Sequence, residues 1–232
     1  MDFEIIASGS NGNAVVLGNS ILIDCGIPCK TIQPHSKGLQ LVLLTHTHLD
    51  HISPATVRRL ALERPAIRWA CGEWMVGLLV GCGVSKKQID VFANGQTSQY
   101  HENLRLTMYE IPHDVRNAAW VVYLGGKTAF YATDTNSLDH IHVPGLDLYM
   151  VEANYKEEEL ATRIREMKNP FEYIHFSRKL NYHLSREKAN EFICRNAGPH
   201  SKFAYMHMEE FQPEPEMLAQ YRDKFPWLFA GH

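Results

Sequence analysis

The sequence predicts a single α/β domain, on three observations. Near the start, short apolar runs are separated by Gly/Asn turns, the pattern of hairpins opening an antiparallel sheet. Further on, apolar runs alternate with stretches of helical character, which is how helices come to cover a sheet. Finally, 232 residues with 45% hydrophobic composition can bury one substantial core but are short for two. Residues 1–232 are therefore expected to form one domain.

Taken in order, strands are expected at 3–6, 14–17 and 21–23. The polar turn Ser8-Gly9-Ser10-Asn11-Gly12-Asn13 joins the first two, and Asp24 ends the third. Turn geometry accounts for Gly9 and Gly12, although the same freedom lets backbone approach a phosphate. The Val/Leu-rich run 39–44 reads as a buried strand. Ser53 as cap and Pro54 in the first turn then start a helix over 55–63. A strand at 67–70 and a helix over 73–80 follow, with Gly81 and Gly83 as terminators and with Trp69 and Trp74 in the core. The run 104–111 leads to His113, and strands 118–124 and 128–132 flank the turn Gly125-Gly126 before Asp134. A strand over 146–151 ends in Glu152-Ala153-Asn154. From 156 to 195 the chain reads as helical and charged. Between Arg163 and Lys188 it holds seven basic residues (Arg163, Arg165, Lys168, Arg178, Lys179, Arg186, Lys188) against three acidic (Glu166, Glu172, Glu187). Such a segment is either a solvated helical face or a phosphate-binding flank with Tyr173, Phe176 and Tyr182 for base stacking. Ser185 caps a helix through 191, just after His183. A strand at 203–206 precedes His207, an amphipathic helix covers 214–224, and 226–229 packs the tail onto the body.

Chemistry concentrates in Thr45-His46-Thr47-His48-Leu49-Asp50-His51. Neutral imidazole and carboxylate are natural ligands of zinc and similar divalent ions. Placed between a strand end and a helix start, these groups are oriented before any ion arrives. In an extended turn His46 and His48 point one way, while Asp50 and His51 can serve a second position nearby. The spacing suggests two metals. By themselves, His113 after a proline reads as a satisfied core or surface group, and Asp134 at a strand end as a helix cap.

The motif H-x-H-x-D-H at a strand end resembles the signature of the metallo-β-lactamase superfamily. That resemblance implies an αββα sandwich, with metals at the edge of two facing sheets. It implies that His46, His48 and His113 bind one metal, that Asp50, His51 and His207 bind the other, and that Asp134 bridges them. An ordered set covering residues 8–218 is similar to the YycJ-like (WalJ) branch: the Ser8–Asn13 turn, Ile23-Asp24-Cys25-Gly26, His113-Asp114, Thr133-Asp134-Thr135, Glu152-Ala153-Asn154 and His183-Leu184-Ser185. This branch and its relative ribonuclease Z imply phosphodiester chemistry through a hydroxide bridged by two metals. Asp50 would orient or deprotonate the water, and His183 would stabilise or protonate the leaving group. Asp24 would steady the histidine loop, since ligating imidazoles need a partner for their other nitrogen; Glu152 is a second supporting candidate. The short stretch between Asn154 and His175 leaves no room for an inserted β-CASP domain. Tyr182-His183 departs from the Gly-His usual in relatives, and Met208-Glu209-Glu210 after His207 departs from Leu-Ser; both bear on substrate preference. Asp134 stands where β-lactamases commonly have cysteine, and the intact His51 separates the chain from oxygen-reducing di-iron relatives.

Three function classes follow. The first is a metal-dependent phosphodiesterase or nuclease. The second is a hydrolase of a small ester, thioester or cyclic phosphodiester, favoured by small size and acidic charge. The third is a metal-binding module without turnover. The expected cofactors are two divalent ions, zinc by the His/Asp ligand set, with manganese open because carboxylates are harder ligands. The expected partner is nucleic acid or a small phosphodiester. A net charge of −3 gives no global attraction to polyanions, so any such binding must be local. No apolar run reaches the roughly 18 residues of a membrane span, and the N-terminus lacks a basic signal start. A cytoplasmic, membrane-free protein is expected. Five cysteines without a C-x-x-C pair read as reduced, mostly buried thiols, with Cys25 notable for its neighbour Asp24.

Overall fold

The computed structural model describes residues 1–166, 177 and 179–208. Among the described residues twelve strands form two six-stranded sheets. The first holds β1 (Phe3–Ala7), β2 (Ala14–Leu17), β3 (Ile21–Ile23), β4 (Leu41–Leu43), β5 (Arg68–Gly72) and β6 (Ile89–Phe92), side by side in chain order. The second holds β7 (Thr97–His101), β8 (Leu104–Ile111), β9 (Asn117–Leu124), β10 (Lys127–Ala132), β11 (Leu148–Glu152) and β12 (Lys202–Met206), also in chain order.

Each sheet changes from antiparallel to parallel pairing partway across. Hairpins join β1, β2 and β3, whereas β3 to β6 run parallel. In the second sheet β7 to β10 alternate in direction, and β10, β11 and β12 run parallel. Parallel crossovers are usually helical, and all but the loop 133–147 between β10 and β11 are so here. The chain supplies α1 (Cys29–Ser36), α2 (Pro54–Glu63) and α3 (Val76–Gly81) on the first sheet, then α4 (Glu157–Glu166) and α5 (Arg186–Asn196) around the second.

Strand alternation sorts the core into layers. Leu41 and Leu43 point between the sheets, with Leu106, Met108, Trp120, Tyr131 and Met150, while Val42 and Leu44 face α1 to α3 through Ile32, Val57, Leu60 and Leu79. On the far side Phe130, Tyr149 and Val151 meet Ala189, Phe192 and Ile193 of α5. The order is helices, sheet, sheet, helices: the αββα sandwich. Each fully buried Leu, Ile or Phe contributes roughly 1.5–3 kcal/mol to this assembly.

Ser53 caps α2 by accepting from Thr56 N, with Pro54 in the first turn, and Ser185 caps α5 by accepting from Lys188 N. The expected helix over 73–80 divides into a 3₁₀ turn, Glu73–Met75, and the short α3. Among the described residues the expected helical stretch 156–195 comprises α4, helical residues at 177 and 179–182, and α5, which runs on past residue 191 to Asn196. Trp69 is fully buried; Trp74 is half-buried and its indole donates to the Thr45 carbonyl at 3.3 Å. The expected tail elements at 214–224 and 226–229, together with Lys168, Glu172, Tyr173, Phe176 and Arg178, lie outside the described residues. All five cysteines are free thiols. No helix among the described residues is long and apolar enough to cross a membrane.

Candidate metal centre

The candidate ligands and their supports follow the carboxyl ends of six strands at one edge of the sandwich. Asp24 follows β3, and the loop His46–His51 follows β4. His113 follows β8, Asp134 follows β10, Glu152 closes β11, and His207 follows β12. Because β8 runs parallel to β10, β11 and β12 through two antiparallel steps, side chains far apart in sequence emerge on the same rim.

The imidazoles converge. Ring centroids of His46 lie 4.7 Å from His48, 4.1 Å from His51 and 5.1 Å from His113. His51 stacks on His207 at 5.7 Å. Donor atoms of His46, His48 and His113 form one group within 4.8 Å of each other. Asp50, His51 and His207 form a second group, and His46, His51 and Asp134 a third that connects them. All seven sequence-predicted ligands are therefore brought together, with Asp134 between the two triads. A fourth group of the same kind joins Asp134, Glu152, His183 and His207, so His183 also stands at this rim.

The loop 45–51 is held from below. Asp24 is fully buried and accepts from Thr45 N at 3.0 Å, Thr45 Oγ1 at 2.9 Å and His51 Nδ1 at 2.7 Å. Asn13, also fully buried, receives Gly9 N on its side-chain oxygen and donates to the carbonyls of Gly9 and Asp50. Gly26 has no room for a side chain, since a Cβ there would lie 1.8 Å from the Asp50 carbonyl oxygen. Cys25 pins the far end of the loop by pairing with Ile52. Its thiol is fully buried, and burial, then Asp24, pushes its pKa up, so it is an inert core thiol. Among the described residues, three of the four non-glycine residues with positive φ are Asp24, Asp134 and His207, a conformation that side chains adopt at a cost of about 1–3 kcal/mol each.

On the opposite wall Glu152, fully buried, accepts from Thr135 N at 2.8 Å and from His183 Nδ1 at 2.6 Å. Burial raises the Glu152 carboxyl, and the His183 contact partly offsets this. Burial opposes charge on His183, but the hydrogen bond and charge of Glu152 hold its imidazole above the usual value. Asn154 donates to the His207 carbonyl at 2.9 Å, and Ser8 Oγ accepts from His207 N at 2.7 Å, tying the first turn to the last candidate ligand.

The donors fit a cation. His46 Nε2 and Asp134 Oδ2 are buried without a hydrogen bond among the described residues, although Asp134 Oδ2 is 2.8 Å from His51 Nε2. Buried polar atoms are seldom left so, and a divalent ion satisfies several lone pairs at once. Burial, reinforced by His51, keeps His46 well below its ordinary pKa and so neutral, the coordinating form. Burial opposes charge on Asp134, but His207 and His51 hold its carboxyl well below the carboxylate range.

The sequence singled out neither Asn13 nor Thr45 for a role. Their signal was position alone: the end of a glycine turn, and the residue before the first histidine. Of the basic segment, Arg163, Arg165 and Lys188 are exposed, Arg186 is half-buried with its guanidinium over the Tyr205 ring, and Lys179 is buried.

Several solved structures share this architecture. The metallo-beta-lactamase fold protein YhfI from Bacillus subtilis is 16% identical with a TM-score of 0.71, over 97% of this chain and 92% of that one. The short form of human tRNase Z is 14% identical with a TM-score of 0.67, over 90% and 93%. A diphosphatase of the PhnP family is 15% identical with a TM-score of 0.63, over 94% and 90%. A sequence search among curated proteins finds no match. A family model described as the beta-lactamase superfamily domain matches residues 19–208, a span that runs from the turn before β3 to just past His207. The chain therefore belongs to the metallo-β-lactamase superfamily.

Proposed function

We propose that this chain is a metal-dependent phosphodiesterase of the YycJ-like branch, acting on nucleic acid or a smaller phosphodiester with two divalent ions. The observation that carries the reading is the two donor triads joined through Asp134, with His183 held beside them by Glu152. His46, His48 and His113 would hold one ion, and Asp50, His51 and His207 the other. Zinc suits the imidazole-rich set, and manganese the carboxylates. Bound there, two such ions would acidify a water and neutralise charge on a phosphoryl group.

The remaining work falls to side chains. Asp50 lies 3.4 Å from His207 Nε2 and 3.5 Å from His51 Nε2, with its side chain 24% exposed. It is the carboxylate on the solvent side of its triad, placed to orient an attacking water and take its proton. His183 has Nδ1 committed to Glu152, which fixes the ring and leaves Nε2 to deliver a proton to the departing oxygen. The tRNase Z and diphosphatase folds support phosphoester substrates over carboxylic esters by likeness of architecture.

The deciding experiment is metal analysis of the purified chain, with hydrolysis of bis-p-nitrophenyl phosphate and a panel of single- and double-stranded DNA and RNA. Wild type is expected to turn over with zinc or manganese, and Asp50→Ala and His183→Ala to lose turnover while staying folded. A wild type inactive under both metals sinks the reading. Hydrolysis of small cyclic phosphodiesters with no cleavage of any nucleic acid would narrow the substrate to the small class.

A further inference from the structure

Arg116 ends the loop that carries His113, one residue before β9. Its guanidinium lies over the Trp74 ring, 4.5 Å from the centroid, and its Nη2 donates to Glu110 Oε1 at 2.8 Å. Trp74 in turn donates to the carbonyl of Thr45, the residue before His46. The stacked pair therefore joins the two sheets at the rim, tied on one side to the loop of His46 and on the other to the loop of His113.

The result is an ordered cation that faces water. The side chain is 54% exposed, yet the aromatic stack and the Glu110 contact fix where the guanidinium sits. Among the described residues only its Nη2 donates a hydrogen bond, and the other N–H groups of the fork are left for an incoming acceptor. A planar fork with spare donors matches a phosphate, which accepts two parallel hydrogen bonds. Its contacts among the described residues are with Trp74 and Glu110 and not with a candidate ligand, so an anion that reaches it lies beside the ion positions.

We propose that Arg116 binds the phosphodiester next to the scissile one, and that the substrate is therefore a nucleic-acid strand and not a molecule with a single phosphate. This rests on the phosphodiesterase reading given above and narrows its substrate class. With a net charge of −3, attraction to a polyanion has to be local, and Arg116 supplies it at the rim. Glu110 holds the guanidinium in the free protein and yields part of that hold to the phosphate.

The test loads the full chain with Zn²⁺ in a His183→Ala background, where turnover is lost, and follows binding of a fluorescein-labelled single-stranded DNA or RNA oligonucleotide by anisotropy across a salt series. Adding Arg116→Ala is expected to weaken binding roughly tenfold and to lower the slope of log affinity against log salt by about one. Arg116→Lys keeps the charge without the fork, and should restore the slope but only part of the affinity. Glu110→Gln removes the competing carboxylate and should tighten binding roughly threefold, a gain that a purely structural ion pair does not give. It carries the test should Arg116→Ala fold poorly. With His183 intact, Arg116→Ala should lower kcat/KM more for the oligonucleotide than for bis-p-nitrophenyl phosphate, which has one phosphate. Unchanged affinity and slope overturn the proposal, and so do equal losses on the two substrates. A chain that hydrolyses bis-p-nitrophenyl phosphate but binds no oligonucleotide overturns it while leaving the phosphodiesterase reading in place. A wild type without metal-dependent hydrolysis of any phosphodiester overturns both.

Discussion

The site has two walls, and they are built differently. The inner wall is Asp24, Thr45, His46 and His51, none with any exposed surface, knit by hydrogen bonds that leave the Asp24 carboxylate fully engaged. The outer wall is His48, Asp50, Asp114 and His183, with side chains 34%, 24%, 21% and 20% exposed. A buried network cannot lose a member without stranding its partners. Side chains in contact with water can be exchanged at small cost to the fold. Stability is therefore expected to reside in the inner wall, and the proposed chemistry in the outer one.

Asp24→Ala is expected to break this comparison most visibly. It strands Thr45 N, Thr45 Oγ1 and a buried His51, so unfolding free energy should fall by about 3–5 kcal/mol, measured by urea denaturation, and hydrolysis should fall with it. A loss under about 1 kcal/mol would mean that the inner wall is no framework.

On the outer wall Asp50→Ala and His183→Ala should lower kcat/KM by roughly 10²–10⁴-fold, and the urea midpoint of Asp50→Ala should stay near wild type, while His183→Ala also deprives the buried Glu152 of its partner. Equal losses of stability on both walls would erase the distinction.

Asp147 supplies a reference away from both walls. Its carboxylate joins β10 to the start of β11 by accepting from Thr128 N at 2.8 Å, Thr128 Oγ1 at 2.9 Å and Lys127 Nζ at 2.9 Å. Partial burial raises its pKa, but Lys127 and Thr128 together hold it below the ordinary value. Its contribution is thus fully present above the unfolded value of about 4 and is lost as pH falls through the lower folded one. Asp147→Asn should cost about 1 kcal/mol at pH 7 and flatten the acid limb, read from denaturation curves at neutral pH and about pH 3. An equally steep acid limb in the variant would assign it to other carboxylates.

The smallest effect is expected at Leu49. Although inside the ligand loop, it is 72% exposed, and Leu49→Ser should change stability by no more than about 0.5 kcal/mol. A larger loss, seen by the same denaturation, would mean that the loop owes its shape to that side chain.

Why some of this was legible in the sequence and some was not follows from where the information lies. The loop 45–51 carries its donors within one turn of chain, so local spacing announces it, and Ser53-Pro54 announces the helix beyond. His113, Asp134 and His207 each stand alone; only their order along a family pattern singles them out, because strand direction brings them together. The helix α1 escaped notice because Pro34 lies inside it and no side chain caps its start. The strand β7, Thr-Ser-Gln-Tyr-His, lies at a sheet edge and lacks the apolar alternation of a covered strand. The strand β6 is short and also lies at an edge.

The Gly125-Gly126 turn between β9 and β10 lies at the opposite end of β10 from Asp134. Both glycines have positive φ, and a side chain built on either meets nothing within 4 Å. Loop tips of this kind accept added sequence readily. A reporter peptide or affinity handle spliced there would leave the rim of candidate ligands clear, so the chain could be tethered to a surface or read out optically with that rim still open to solvent.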